Sequence, residues 1–221
     1  MRDEHGPVEQ IGLYLDVAYR IHFDNAKLSF GLKGGANIFQ GKFSELNPND
    51  PDDVVFQNDV SSQISPNFGF GVMYYADRYY VGLSTPKLAN TKWLDVDSLS
   101  TVVQDGQQQH FFFIAGYVFD LSNYVQFKPS ILVKAVQGAP INTDITANFL
   151  FYEKFWLGAM YRHSDAVGVL LQYQFTDALS AGYVYEYSTT PLSNYNNGTH
   201  EIMIGYDIGV KAKGIRSPRY F

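Results

Sequence analysis

Several features are scarce or missing in this sequence, and each narrows the range of functions. The chain has no cysteine, which excludes disulfides and thiolate metal sites. Charged residues make up 17% of the 221 residues, against roughly 25% in an ordinary soluble protein. The net charge of −6, with no basic run interleaved with aromatics, argues against nucleic acid as a partner. No apolar run reaches the roughly 18 residues that a membrane helix requires.

The N-terminus, MRDEHGP, also lacks the apolar segment of a secretory signal peptide. The chain is therefore interpreted either as cytosolic or as a fragment that lacks its true start. Aromatic residues, by contrast, are abundant at 16%, with 17 Tyr and 17 Phe, and there are 19 Gly. This composition is typical of a β-rich chain, and especially of one whose outer face meets lipid.

The stretch 145–187 shows the clearest pattern in the chain. Its odd-numbered residues are mostly apolar or aromatic, whereas its even-numbered residues are mostly small, polar or charged. Because successive side chains of a strand point to opposite faces, this alternation predicts strands with one apolar face. Breaks at Glu153–Lys154, His163–Asp165 and Thr176–Asp177 are short enough for hairpins. The stretch therefore predicts four consecutive up-and-down strands of an antiparallel sheet.

Similar alternation predicts strands elsewhere, at residues 11–21, 27–39, 67–75, 79–84, 108–119, 124–136 and 199–210. Together these make about eleven strands, with no convincing helix. We expect residues 1–7 to be loose and Gly34–Gly35 to form a bulge or bend. Two long polar loops are expected at 41–65 and 86–107. Pro129 lies inside a predicted strand, where proline is disfavoured except at an edge or bulge.

Short turns that alternate with longer loops are typical of an outer-membrane β-barrel. The polar face of the strands carries charges that would line a barrel lumen, or would face water in a soluble β-sandwich. These charged residues are Asp16, Arg20, Lys33, Lys128, Lys134, Arg162, Glu186, Glu201 and Asp207. The pattern favours an all-β, antiparallel up-and-down barrel of the outer-membrane type over the sandwich.

Five phrases of the sequence resemble one protein family. They are YYVGLSTPKL (79–88), GYVFDLSNYVQFKPSILVKAVQGAP (116–140), LGAMYRHSDAVGVLLQYQ (157–174), YEYSTTPLSNYNNGTHEIMIGYD (185–207) and SPRYF (217–221). The chain resembles the PorP/SprF family, which are outer-membrane β-barrel proteins of the type IX secretion system of Bacteroidota. The resemblance is collinear and runs from about residue 8 to the last residue.

The resemblance implies a component of the type IX secretion apparatus in the bacterial outer membrane, with neither catalysis nor a cofactor. Its implied partners are the lipid bilayer, the periplasmic ring lipoprotein, other outer-membrane subunits, and secreted cargo such as gliding adhesins. Family members begin with a signal peptide and further strands that find no counterpart in residues 1–7. Because single-chain barrels have an even strand number, we expect 1–221 to be one barrel domain that lacks N-terminal strands. The loops 41–65 and 86–107 and the basic, aromatic tail 211–221 are the expected docking surfaces.

Two clusters invite a chemical interpretation. His163, Ser164 and Asp165 are the residue types of a hydrolase triad, but adjacent residues of one tight turn cannot align nucleophile, base and orienting group. A polar turn is expected there instead. The aspartates at positions 50, 52 and 53 crowd together but lack the glycine and terminal glutamate of an EF-hand, so we expect a solvated loop.

Other residues have structural interpretations. His110 and His200 are expected at strand ends, because no second ligand lies at a recognisable metal-binding spacing. Asn197–Gly198–Thr199 matches a glycosylation acceptor, but a turn before a strand explains it. The aromatics that fit the girdles at a membrane interface are Tyr74, Tyr79, Tyr161, Tyr173, Phe175, Tyr185 and Tyr187. The sequence therefore predicts no catalytic, cofactor-binding or metal-binding residue.

Three alternative functions remain open from the sequence. A passive porin or uptake channel would need only a charged lumen. A soluble β-sandwich binding module would need the polar face to meet water. An envelope hydrolase would need Ser164 as its nucleophile.

Overall fold

The computed structural model describes residues 2–6, 8–42, 59–88 and 108–206. Within these ranges the chain forms one sheet of thirteen strands. Twelve of them follow one another across the sheet in chain order, each antiparallel to its neighbours, and the short β7 pairs with β8. The fold is therefore all-β and up-and-down, as predicted. The strands are β1 Arg2–His5, β2 Val8–His22, β3 Ala26–Gly41, β4 Val60–Ala76, β5 Tyr79–Lys87, β6 His110–Tyr117, β7 Phe119–Ser122, β8 Val125–Val136, β9 Asn142–Phe151, β10 Phe155–Arg162, β11 Ala166–Gln174, β12 Leu179–Ser188 and β13 Thr199–Tyr206.

The two ends of the sheet differ in their connections. One end, the turn side, carries the tight connections 23–25, 77–78, 123–124, 152–154 and 175–178. The other end, the loop side, carries the connections 42–59, 88–109, 137–141, 163–165 and 189–198. The last of these contains a short 3₁₀ helix, Pro191–Asn194. No helix in the described part of the chain is long and apolar enough to cross a bilayer.

The exposure of the two faces is the reverse of that in a soluble sheet. On β11, Val169 is 48% exposed, whereas the neighbouring Gly168 is buried and Ala166 is 1% exposed. Apolar side chains are similarly exposed along the other strands, and Leu15 of β2 reaches 71%. We call the exposed apolar face the outer face. The face that carries Asp16, Lys33, Lys128, Asp144, Arg162 and Glu186 is called the inner face.

The sheet is barrel-like but not closed, and β2, its first long strand, runs in the same direction as β13, its last strand. Among the described residues, β13 has a partner only in β12, and β1 covers β2 only from Val8 to Ile11. Both β2 and β13 run from the loop side to the turn side. A barrel in which every neighbour is antiparallel would therefore need an odd number of strands between them.

Two segments that were expected to be irregular form strands. Residues 2–5 were predicted to be loose, but they pair antiparallel with β2. Residues 60–65 were placed in a loop, but β4 begins at Val60 and pairs with β3. These predictions were wrong because ladder hydrogen bonds join backbone groups and do not require apolar alternation. The strand expected to end at residue 84 likewise continues to Lys87 through an irregular register.

The bulge predicted at Gly34–Gly35 is also wrong. β2 and β3 stay in register through both glycines, and the irregular register lies between Phe39 and Gly41, where β3 pairs with β4. Gly35 instead makes room for the backbone of β2 and the ring of Tyr14, since a Cβ on Gly35 would clash with the carbonyl oxygen of Leu13 and would lie 2.7 Å from that ring. The hydroxyl of Tyr14 donates a hydrogen bond to Oδ1 of Asn37. The glycine therefore allows both the close approach of β2 and the packing of the Tyr14 ring on the inner face.

Pro129 lies where β8 changes its partner strand. β6 pairs with β8 as far as Ser130, and β7 takes over at Phe127. Between these points Val118 donates its N–H to the carbonyl of Arg78 at 2.7 Å. The strand predicted at residues 108–119 is thus two strands, β6 and β7. β7 also includes residues 120–122, which were predicted to lie between that strand and the strand at 124–136. A residue without an N–H fits such an interruption of the ladder.

We predict that Gly35→Ala destabilises the sheet by about 1–3 kcal/mol, because the added methyl group clashes with the Leu13 carbonyl oxygen and overpacks the Tyr14 ring. Urea-induced unfolding of the protein in lipid vesicles measures this. Gly34→Ala is the matched control, since a Cβ there would meet nothing within 4 Å. Equal losses for the two variants would show that Tyr14 is not held over Gly35.

Candidate functional site

The main cluster of charged side chains lies on the inner face, near the loop side. The register places Arg162, at the end of β10, opposite Asp144 of β9. Nε of Arg162 donates to Oδ1 of Asp144 at 2.8 Å, and Nη1 donates to Oε1 of Glu186 at 2.8 Å. Asp144 is only 7% exposed at its side chain. Arginine keeps its charge in proteins, so Arg162 is a cation in contact with both carboxylates in a partly buried site.

Small residues on β11 let Arg162 reach across a whole strand. Glu186 belongs to β12, and β11 lies between β12 and β10. The β11 residues opposite Arg162 and Glu186 are Ala166 and Gly168. A Cβ on Gly168 would lie 3.2 Å from the Met160 side chain. Because neither position has a larger side chain, the guanidinium of Arg162 can cross β11 and reach Glu186.

Two further charges extend the cluster to neighbouring elements. Nζ of Lys134, on β8, lies 3.0 Å from Oδ2 of Asp144. Asp165, in the turn after β10, places Oδ2 3.6 Å from Nη1 of Arg162. We call Lys134, Asp144, Arg162, Asp165 and Glu186 the rim network. It ties β8, β9, β10 and β12 together at the loop side. Its cations already contact carboxylates, so the arrangement suits bracing of the wall rather than acid–base catalysis.

Cation–π contacts hold other inner-face charges against the wall. Nζ of Lys33 lies 3.5 Å from Oδ1 of Asp16 and 4.9 Å from the centroid of the Tyr14 ring. Nζ of Lys128, a buried residue, lies 5.3 Å from the centroid of the Trp156 ring. Such contacts stabilise an ammonium most where water is excluded. Lys33 and Lys128 therefore each contact an aromatic ring of the inner face.

Bulky apolar side chains share the inner face with these charges. The register puts them on the same side as Arg162, and they are Phe112, Ile114, Leu132, Leu150, Trp156, Met160, Leu170 and Val184. On β2 to β5 the inner face instead carries a row of small residues, Ala18, Gly31, Gly71 and Ser84. This row lies in an open groove of about 270 Å³. The inner face therefore has a groove at a row of small side chains on β2–β5, whereas on β6–β12 bulky apolar side chains lie among its charges.

Aromatic rings mark both ends of the outer face. The turn-side ring pairs are Tyr74–Tyr79, Tyr117–Phe119, Phe127–Phe149, Phe151–Phe155 and Tyr173–Phe175. Of the predicted girdle residues, the structure places Tyr74, Tyr79, Tyr173 and Phe175 at the turn side, and Tyr161, Tyr185 and Tyr187 near the loop side. Two belts separated by an apolar band are the arrangement found where a barrel crosses a bilayer.

The structure gives the predicted hydrolase residues separate partners. The Asp165 carboxylate contacts Arg162, and the His163 ring packs edge-on against the Tyr161 ring. Ser164 sits in the turn with φ of 59°. No triad geometry joins these three residues, as expected of a polar turn. The aspartates at positions 50, 52 and 53 lie outside the described residues, as do Asp207 and the tail 211–221.

The remaining candidate residues lie at strand ends, as predicted. Nδ1 of His110, the first residue of β6, lies 2.8 Å from the carbonyl of Gln108. His200 packs against Tyr183 and Tyr185 near the start of β13. Asn197 lies in the connection before β13 and accepts a hydrogen bond from Tyr185 at its carbonyl. Among the described residues, no group of His, Cys, Asp and Glu could hold a metal ion.

Sequence reasoning placed Lys134, Arg162 and Glu186 on the polar face but did not predict the rim network. Asp144 was missed because it precedes residues 145–187, the stretch whose alternation predicted the strands. The signal that could have found it is its parity, since Asp144 shares the even numbering of Arg162 and Glu186.

We predict that Arg162→Met destabilises the folded protein by about 3 kcal/mol, because it strips a nearly buried carboxylate of its main partner. The measurement is the urea midpoint of unfolding in lipid vesicles. Arg78→Met is the control, because the Arg78–Asp120 pair is 58% and 40% exposed and should contribute less than about 1 kcal/mol. Similar midpoints for the two variants would show that the rim network does not brace the wall.

Comparison with known proteins confirms the family that the sequence phrases resemble, and the match ends before the phrase SPRYF at 217–221. The family described as type IX secretion system membrane protein PorP/SprF matches residues 1–206. No curated protein matches the chain. The family match spans every described strand, including those that carry the rim network. The chain therefore belongs to the PorP/SprF family of type IX secretion system membrane proteins.

Proposed function

We propose that this protein is a non-enzymatic outer-membrane component of the type IX secretion system that assists secretion or surface anchoring of cargo such as gliding adhesins. Family membership carries the proposal, since the match spans residues 1–206. Its proposed partners are periplasmic and outer-membrane subunits of the system, secreted cargo and the lipid bilayer. The barrel contributes binding surfaces and no chemistry of its own.

The exposed apolar face supports a location in the membrane. Few hydrophobic side chains of the described residues are buried, and the largest are Tyr75, Tyr80 and Leu150. The outer face instead exposes Leu13 and Leu15 at 66% and 71%. An apolar surface of this extent requires a cover. A bilayer provides that cover for a sheet whose polar side chains point inward.

The soluble β-sandwich alternative requires two sheets that pack their apolar faces together. The described strands form one sheet, and its apolar face has no second layer. The sandwich therefore does not fit this fold.

The porin alternative requires a polar, water-filled lumen. The inner face of β6–β12 carries Phe112, Leu132, Trp156 and Leu170 among its charges. The rim network also pairs its charges with one another rather than leaving them free to solvate ions. These features favour an interaction barrel over a conducting pore.

The strands at the opening of the sheet indicate how the proposed barrel domain would be completed. We propose that the barrel wall is completed between β13 and β2 by an odd number of strands, each antiparallel to its neighbours. β1 supplies one of them but pairs with β2 only from Val8 to Ile11. The proposal of further strands is therefore supported by the short length of β1 and not by strand direction.

Adjacent positions on β11 can test the assignment of the two faces. We predict that a nitroxide at Leu171→Cys is accessible to oxygen dissolved in lipid, whereas one at Leu170→Cys is shielded from it. The chain has no cysteine of its own, so each label is unique. Electron paramagnetic resonance of the protein in vesicles measures both accessibilities. Equal oxygen accessibility at the two sites would contradict the outer-face assignment.

Deletion of the gene tests the secretion function directly. We predict that cargo with a type IX sorting signal then fails to reach the cell surface, and that the full-length protein restores it. Deletion of 43–58 or 89–107, the parts of the expected loops that lie outside β3, β4 and β5, should block secretion while the barrel still inserts, because the strands of the wall keep their full length. Immunoblots of surface and cell fractions provide the measurement. Normal surface cargo in the gene deletion would refute the function; normal cargo in both loop deletions would refute those loops as docking surfaces.

A further inference from the structure

The loop between β12 and β13 is braced from both of its ends. Thr189 donates its N–H to the carbonyl of Asp165 at 2.8 Å, which joins the loop to the turn after β10. At the other end the hydroxyl of Tyr185 donates to the carbonyl of Asn197 at 2.8 Å. Within the loop, Ser193 donates its N–H to the carbonyl of Thr190 at 2.9 Å. These bonds give residues 189–198 a defined conformation.

The rim network supports the same region from below. Asp165, which accepts the Thr189 hydrogen bond at its carbonyl, contacts Arg162 through its carboxylate. Arg162 in turn bonds Glu186 of β12, two residues before the loop-side end of that strand. We call residues 163–165 and 189–198 the loop platform. Side chains and backbone together therefore fix the platform to the barrel wall.

Gly198, the last residue of the loop platform, has a backbone conformation that other residues rarely adopt. Its φ is +100°, and a Cβ there would lie 2.7 Å from the carbonyl oxygen of Glu186 and 2.8 Å from the Tyr185 ring. A substitution would strain the backbone and displace that ring. The packing at this end of the loop is therefore tight.

Tyr195 stands out on this braced surface. It is 89% exposed, and exposed asparagines flank it at positions 194, 196 and 197. A large aromatic ring held in a pre-organised loop loses little conformational entropy when it binds. Tyrosine is enriched at the positions that contribute most to protein–protein binding, and Tyr, Ser and Asn are typical of antibody combining sites.

The charges of the loop platform limit the kinds of partner that it can bind. The platform contains no Lys or Arg, and its single acid, Asp165, contacts Arg162. Phosphorylated lipids and glycans are bound chiefly by Lys and Arg, so an anionic surface is a poor match. An uncharged surface with hydrogen-bonding groups and an apolar recess for one ring complements the platform.

We propose that the loop platform, with Tyr195 at its centre, is a docking site for a protein partner that has an uncharged, hydrogen-bonding surface. This inference rests on the proposed function, because the partner is expected among the subunits or cargo of the secretion system. It concerns a surface different from the loops 41–65 and 86–107.

The test uses the full-length protein in native outer membranes, with a photo-crosslinking phenylalanine analogue at position 195. The matched control carries the same analogue at Tyr152, which is 69% exposed on the turn side. We expect one polypeptide to crosslink at 195 and not at 152. With that polypeptide purified, Tyr195→Ser should weaken binding at least about tenfold, a change typical of a central interface tyrosine. Tyr195→Phe, which keeps the ring, should retain most of the affinity, and Tyr152→Ser should change it less than twofold.

Three results would overturn the proposal: adducts at 195 that contain only lipopolysaccharide, equal crosslinking at 195 and 152, or unchanged affinity in Tyr195→Ser. Cargo secretion separates this failure from failure of the proposed function. If deletion of the gene blocks secretion but replacement of 190–197 by a Gly-Ser linker does not, the docking site is wrong and the function stands. If deletion of the gene leaves secretion intact, the function itself is wrong.

Discussion

Lipid offers no hydrogen-bond partners, and the architecture of this protein follows from that constraint. Along the sheet, backbone N–H and C=O groups find partners in neighbouring strands, and charged side chains gather on the inner face, opposite the exposed apolar outer face. The same constraint makes unpaired charges on the inner face costly where water is scarce. The charge of Arg162 is paired with carboxylates of two other strands, Asp144 of β9 and Glu186 of β12, which lies beyond β11. The small residues of β11 are therefore as much a part of this ion network as the charges.

The rim network also connects the wall to the surface that a partner would meet. A barrel committed to lipid on its outer face can contact other proteins chiefly through its ends and its lumen. The connections 163–165 and 189–198 at the loop side are joined to each other and to the strands beneath them, and those strands are held by charge pairs. Binding at such an end needs little rearrangement of the barrel, because the loop conformation is already set before the partner arrives.

Much of the fold could be predicted from the sequence because strand alternation has a period of two that is independent of long-range contacts. The hairpins of residues 145–187 were predicted correctly for this reason. The extension of β4 to Val60 could not be predicted, because backbone pairing there follows β3 rather than the local side chains. The role of Gly35 was missed for a related reason, since it depends on the Tyr14 ring of a neighbouring strand. Likewise, charge on the polar face was predictable, but the Arg162–Glu186 pair depends on register across three strands.

The shared direction of the two free edges has a consequence for association between copies. Barrels inserted into one bilayer share a single orientation, so the exposed edges of β2 and β13 in all copies run the same way. Beyond Ile11, where β1 no longer pairs with it, β2 could meet β13 of another copy only in parallel, whereas every pair in this sheet is antiparallel and parallel pairing is less stable. Uniform insertion thus disfavours edge-to-edge polymerisation along this part of β2, a hazard that soluble sheets counter with charges, prolines and bulges. Membrane orientation itself acts here as protection against aggregation.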